Sequence, residues 1–169
     1  FLDDKKQKFS EILPELRQKE KRGVERYSAK VFEGMNGLRA AYSDVLHTMK
    51  PGETYYFIQV PKEKLMQENI ILFYRKYHSQ RTQLGVNVRC ISTPGDDEGL
   101  QRIFGGLKHT EIRLLDETIP TSMVIYANKI MLIDLEQEPV VFVIESKTIA
   151  NTYKKFADEK WKMAKPWKP

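Results

Sequence analysis

Between Phe32 and Ile58 the chain spells out a complete strand–turn–helix–turn–strand unit, and this one passage limits what the rest can become. In Phe32-Glu33-Gly34-Met35-Asn36-Gly37-Leu38, Gly34 and Gly37 bracket a helix start. Glycine there tolerates positive φ and the close backbone approach of a tight strand-to-helix turn. Leu38, Tyr42 (or Ala41), Val45 and Met49 recur at helical spacing, and Pro51-Gly52 breaks the pattern. The aromatic, apolar run from Tyr55 to Val60 then reads as a buried strand. The spacing predicts a helix over residues 35–50 and a strand over 54–60.

The same reading extends along the chain. Residues 3–22 form a charged helical segment with Leu2, Phe9 and Leu16 at seven-residue spacing and Ile12 and Leu13 between them, a short seam that Lys5, Lys19 and Pro14 interrupt. Such a helix either pairs chains or packs on its own domain. Gly23 ends it, and residues 24–32 alternate as a strand does. From 62 to 84, Met66, Ile70, Phe73, Tyr77 and Leu84 mark one face of a long helix that Gly85 closes. Residues 86–93 are the next strand. The order β-α-β-α-β argues for parallel strands with covering helices.

After a Gly-, Asp- and Pro-rich stretch with a short helix at 98–104, strand signals follow at 110–116, 123–135 and 140–145. Ala127-Asn128-Lys129 splits the second into a hairpin. Ser146 is an N-cap for a closing helix whose apolar face is Ile149, Tyr153, Phe156, Trp161 and Ala164. The expected architecture is α/β: a mixed, largely parallel sheet flanked by helices, preceded by a linker helix.

Composition narrows the function classes. The chain has 169 residues, enough for one well-filled core, with 41% hydrophobic and 30% charged residues. No apolar run reaches the roughly 18 residues a membrane span needs, no signal peptide is present, and the cytoplasm is the default expectation. The opening at Phe1, without an initiator methionine, leads us to expect an excised part of something longer. The net charge of +5 is local: residues 147–169 hold seven lysines against Asp158 and Glu159, 7 − 2 = +5, so the rest is neutral. A basic terminal helix of this kind is read as a solvated face before a DNA-binding one.

Most catalytic chemistries find no foothold. Cys90 is the single cysteine, which excludes an internal disulfide and any zinc site with two cysteine ligands, and its strand position suits a small buried apolar role. The three histidines lack metal-ligand spacing, so neither metal nor other cofactor is expected. Asp96-Asp97-Glu98 reads as solvated loop acids, and Gly105-Gly106 lacks the Gly-Lys-Ser/Thr of a phosphate loop. Lys160-Trp161-Lys162 and Trp167-Lys168 mix aromatic and basic residues as single-strand binders do, but Trp161 falls on the packing face. Arg89 and Arg113 lie inside strands, as edge residues or as buried anion partners.

The Glu33-Gly34-x-x-Gly37-Leu38 entry resembles the effector domain of TrmB-like transcriptional regulators. Glu111-Ile112-Arg113-Leu114, the run from Ile119 to Leu132, Val143-Ile144-Glu145-Ser146 and Phe156-x4-Trp161 are similar to the closing half of that domain. The resemblance covers most of residues 24–165 and implies a phospholipase D-like fold, with 1–23 as linker or dimerisation helix and 166–169 as tail. Phospholipase D chemistry needs His-x-Lys. The histidines here read His47-Thr48-Met49, His78-Ser79-Gln80 and His109-Thr110-Glu111, while Thr121-Ser122-Met123-Val124 stands where the motif would precede the hairpin, with Asn128 in the turn. The expectation drawn from this is a binding scaffold and not an enzyme. The alternatives are a phosphodiesterase of this fold with atypical catalytic residues, or a free-standing interaction module.

Ligands of such sheets bind beyond the carboxyl ends of strands. Gln59, Ser92, Thr93, Asp116 and Glu117, joined by Ser122 and Tyr126 if the cleft follows the fold relative, are the expected ligand contacts. The resemblance implies a homodimer paired through Leu2, Phe9, Ile12, Leu13 and Leu16, and a small-molecule effector such as a sugar. It also implies DNA contact through a winged helix upstream of Phe1.

Overall fold

A computed structural model describes residues 27–58 and 67–168. The seam residues Leu2, Phe9, Ile12, Leu13 and Leu16, and the candidate ligand contact Gln59, lie outside the described residues. In chain order the elements are β1 (Ser28–Glu33), α1 (Gly34–Thr48), β2 (Thr54–Ile58), α2 (Glu68–Gln83), β3 (Asn87–Ser92), α3 (Asp97–Phe104), β4 (Thr110–Leu114), β5 (Ser122–Tyr126), β6 (Lys129–Asp134), β7 (Val140–Glu145), α4 (Lys147–Met163) and β8 (Lys165–Pro166). Among the described residues no helix is long and apolar enough to cross a membrane.

The strands form one eight-stranded sheet in the order β1-β7-β6-β5-β2-β3-β4-β8. This corrects the expected pairing, because the sheet is mostly antiparallel. Only β2–β3 and β3–β4 run parallel; β1–β7, β2–β5, β4–β8, β5–β6 and β6–β7 are antiparallel. The physical reason lies in the connections. Helices α2 and α3 are long enough to carry the chain back for a parallel return, whereas Ala127-Asn128 and the turn before Val140 reverse it on the spot.

Alternation along each strand divides the core in two. Tyr55 and Phe57 of β2 face α1, α2 and α3, together with Val88, Cys90, Val124, Tyr126, Met131 and Val141. Tyr56 and Ile58 face the other way, toward Ala157 and Trp161 of α4 and Ala164 just after it, with Ile91, Met123 and Ile125. The result is three layers, helices–sheet–helix.

The opening unit is held by its two glycines for different reasons. Gly34 has φ +71° and its amide donates to Pro139 O at 2.7 Å, docking the helix start on the turn before β7. Gly37 has room for no side chain: an added Cβ would lie 2.8 Å from the carbonyl carbon of Phe32. At the other end of the chain, Ser146 caps α4, its Oγ accepting from Ile149 N at 3.2 Å.

Candidate ligand site at the strand ends

Strands β2, β3 and β4 run parallel and finish along one edge, where β5 begins in the opposite sense. Ile58, the last described residue of β2, pairs with Ile91 on one side and Met123 on the other. Ser92 and Ser122 therefore stand one step further on, on the strands flanking β2. Both are buried, at 3% exposure each. Alternation turns both side chains to the α1–α3 face, because Ser92 follows Val88 and Cys90, and Ser122 precedes Val124 and Tyr126. The Ser92 hydroxyl has no hydrogen-bond partner among the described residues. Thr93 follows half-buried, and Asp96, 6% exposed, stands at the N-cap position of α3 without a side-chain capping bond. Burial, with the Asp96 charge adding to it, pushes the Cys90 thiol well up, so this sulfur is an apolar filler beneath the site.

The other expected contacts are not brought to this place. Asp116 and Glu117 are exposed in the loop after β4, and Glu117 pairs with Lys160 of α4 at 2.5 Å, on the opposite face of the sheet. Tyr126 ends β5 at the far edge. Its hydroxyl donates to Asp44 Oδ2 at 2.7 Å, as does Lys129 Nζ at 2.7 Å. Burial pushes the Asp44 carboxyl up, but the hydrogen bonds from Lys129 and Tyr126 outweigh it and hold the group below its ordinary range. The strand ends thus gather Ser92, Thr93 and Ser122, a set of hydroxyls able to donate to and accept from a polyhydroxylated ligand.

Of the positions that would hold a phospholipase D motif, Thr121 Oγ1 donates to Ile133 O at 3.3 Å and Met123 is packed in the α4-side core. Asn128 is exposed in the hairpin turn at the far edge. The histidines do not converge: His47 and His109 are exposed, and His78 is fully buried. Among the described residues no group of three His, Cys, Asp or Glu side chains is placed to hold a metal ion.

Two arrangements escaped the sequence reading. Arg81 is 0% exposed, and its guanidinium donates to Val86 O (2.6 Å), His109 O (2.7 Å), Thr110 Oγ1 (2.6 Å) and His78 Nδ1 (3.2 Å). On the other face, Arg113 and Arg89 lie 4.4 and 5.4 Å from the Trp161 ring centroid, and Arg113 Nη1 donates to Trp161 O at 2.8 Å. Both strand arginines therefore clamp α4 to the sheet through cation–π contacts.

No family model matches the chain, and no curated protein matches it in sequence. Solved structures do match. TrmBL2, described as an archaeal chromatin protein with a novel mode of DNA binding, aligns over 99% of this chain and 68% of its own, with a TM-score of 0.59 and 14% identity. Nuc from Salmonella typhimurium, a phospholipase D family member, covers 85% of this chain and 100% of its own at TM-score 0.61 and 12% identity. NucT from Helicobacter pylori covers 84% and 100% at 0.61 and 10%. These likenesses correct the expectation that the chain is not an enzyme. A member of an enzyme family is as near in structure as a chromatin protein, so the missing His-x-Lys does not by itself carry the exclusion. What the likenesses show is the fold: this chain carries the phospholipase D-like fold that TrmBL2, Nuc and NucT share.

Proposed function

We propose that this domain is the ligand-sensing and chain-pairing part of a TrmB-like transcription regulator, with DNA read by a winged helix upstream of Phe1. The observation that carries the reading is the alignment with TrmBL2 over 99% of this chain, which leaves about a third of that DNA-binding protein's length beyond the match. The buried hydroxyls of Ser92 and Ser122 support a polar effector such as a sugar. In this reading Leu2, Phe9, Ile12, Leu13 and Leu16 pair two chains, and the ligand alters the angle between the DNA-reading heads.

The test combines mass in solution with ligand response. Residues 1–169 sediment as a dimer, and residues 24–169 as a monomer. In the longer protein, one of glucose, maltose or ribose shifts DNA binding in a gel-shift titration, and Ser92→Ala weakens that shift. Equal sedimentation of the two chains removes the pairing claim. Phosphodiesterase activity on bis(p-nitrophenyl) phosphate that Thr121→Val or Ser122→Ala abolishes overturns the reading.

A further inference from the structure

Helices α1 and α2 lie side by side, and their contact is aromatic. Tyr42 meets Phe73, Tyr74 and Tyr77 edge-on, at centroid distances of 5.3, 5.5 and 4.6 Å. The phenol oxygens are engaged inside: Tyr42 OH donates to Tyr74 OH at 3.2 Å and Tyr77 OH to Tyr55 OH at 3.0 Å. Outside this seam the two helices leave a recess of about 560 Å³. Its apolar lining is Leu46, Leu72, Phe73 and Tyr77, with Tyr42 at its floor.

Three features give the recess a chemistry. Its volume falls inside the range of roughly 300–1,000 Å³ typical of small-molecule pockets. Leu72 is 59% exposed, a large apolar side chain left mostly to solvent at the recess. Arg39 and Lys76 both reach it, and among the described residues no Asp or Glu lines it. Arg39 spends one donor on Asn36 Oδ1 at 2.8 Å, and Lys76 makes no ion pair among the described residues. An apolar slot whose described rim carries two cations and no acid complements an amphipathic anion. On α2 the lining runs from Asn69 to Gln80, roughly 16 Å at 1.5 Å per residue. A medium-chain acyl group is shorter than that and fits along it.

We infer that the groove between α1 and α2 binds an amphipathic monocarboxylate of fatty-acid type, its chain lying on Leu46, Leu72 and Phe73 and its carboxylate at Lys76 and Arg39. This site is separate from the strand ends, and the inference stands whether or not the domain senses a sugar there.

Calorimetric titration of the full chain with decanoate, decanol and acetate, below micelle-forming concentrations, tests it. Decanoate binds, decanol binds more weakly, and acetate does not. Lys76→Glu, a surface change, weakens decanoate by about tenfold and leaves decanol unchanged. Ser43→Trp, which fills the recess, removes both, with circular dichroism confirming the fold of each variant. Equal binding of decanoate and decanol, or decanoate binding indifferent to Lys76→Glu, overturns the assignment. So does absence of decanoate binding, and so does a dimer that Leu72→Glu dissociates in sedimentation, which would make the groove a contact between copies. A decanoate complex that leaves DNA binding by the longer protein unchanged keeps the site and counts only against a role in sensing.

Discussion

At Arg81 a guanidinium is buried, and among the described residues no carboxylate is a hydrogen-bond partner. Neutral acceptors share the charge instead, and they belong to three different segments: the end of α2 (His78), the approach to β3 (Val86) and the start of β4 (His109, Thr110). One side chain thereby fixes where β3 and β4 begin. Arg81→Met leaves Val86 O and His78 Nδ1 without this buried donor, while His109 O keeps Val88 N and Thr110 Oγ1 keeps Lys108 O; we expect it to cost roughly 2–5 kcal/mol in urea unfolding at pH 7. Arg81→Lys recovers only part, because an ammonium has no planar fork to reach carbonyls on two segments. The residue was legible in part. Ile70, Phe73 and Tyr77 predict the packing face of α2, and the position four after Tyr77 is Arg81, so the stripe continues through a charge. The apolar spacing instead points to Leu84, which is 46% exposed. The acceptors could not be read, because a carbonyl carries no sequence signature.

Among the elements, the entry to α1 shows how far local pattern reaches. Glycines at 34 and 37 mark a helix start, yet their separate duties appear only with Pro139 and Phe32 in place. Gly37→Ala pushes a methyl against the Phe32 backbone and is expected to lower stability by about 1–3 kcal/mol. Gly34→Ala forces a side chain into the left-handed region and costs about 1–2 kcal/mol. Ser146→Ala, at the opposite end of the fold, costs about 1 kcal/mol through the lost cap on Ile149 N. Urea midpoints for the three variants check the order. Helices, strands and the Ala127-Asn128 hairpin were all legible, since each depends on residues close in sequence. Strand direction was not. β1 finds β7, with Val31 opposite Phe142, and β2 finds β5, pairings across much of the chain that no short-range pattern encodes. The candidate site inherits that limit: Ser92 and Ser122 stand at one edge, on the two strands flanking β2, because β5 runs against β2, and the same reversal carries Tyr126 away.

Across the whole molecule, the α1–α3 layer and the sheet it covers hold two groups that respond to acid in different pH windows. His78 lies wholly within the α1–α3 layer, its Nδ1 accepting from Arg81 Nε and its ring 4.4 Å from that of Phe104. Burial, and then the Arg81 charge, hold its pKa well below the ordinary 6.5. The native imidazole is neutral, whereas the unfolded one takes up a proton below about 6.5, so the unfolded state binds more protons there. Stability from this group is complete above pH 6.5 and falls as the pH drops toward the depressed native value, by at most about 1.4 kcal/mol per pH unit. Asp44 ties α1 to the β5–β6 hairpin through Tyr126 and Lys129, and its pKa lies below the ordinary 3.8. Its contribution is present above that value and is lost only as the pH falls through the lower native one. The curve of unfolding free energy against pH should therefore bend twice, near 6.5 and again below about 4. His78→Gln, whose amide oxygen still accepts from Arg81, flattens the upper limb and leaves the lower one. Asp44→Asn removes the lower limb and leaves the upper. Urea midpoints from neutral pH down to about 3 separate the two. An upper limb that survives in His78→Gln would place the acid response outside the Arg81 network.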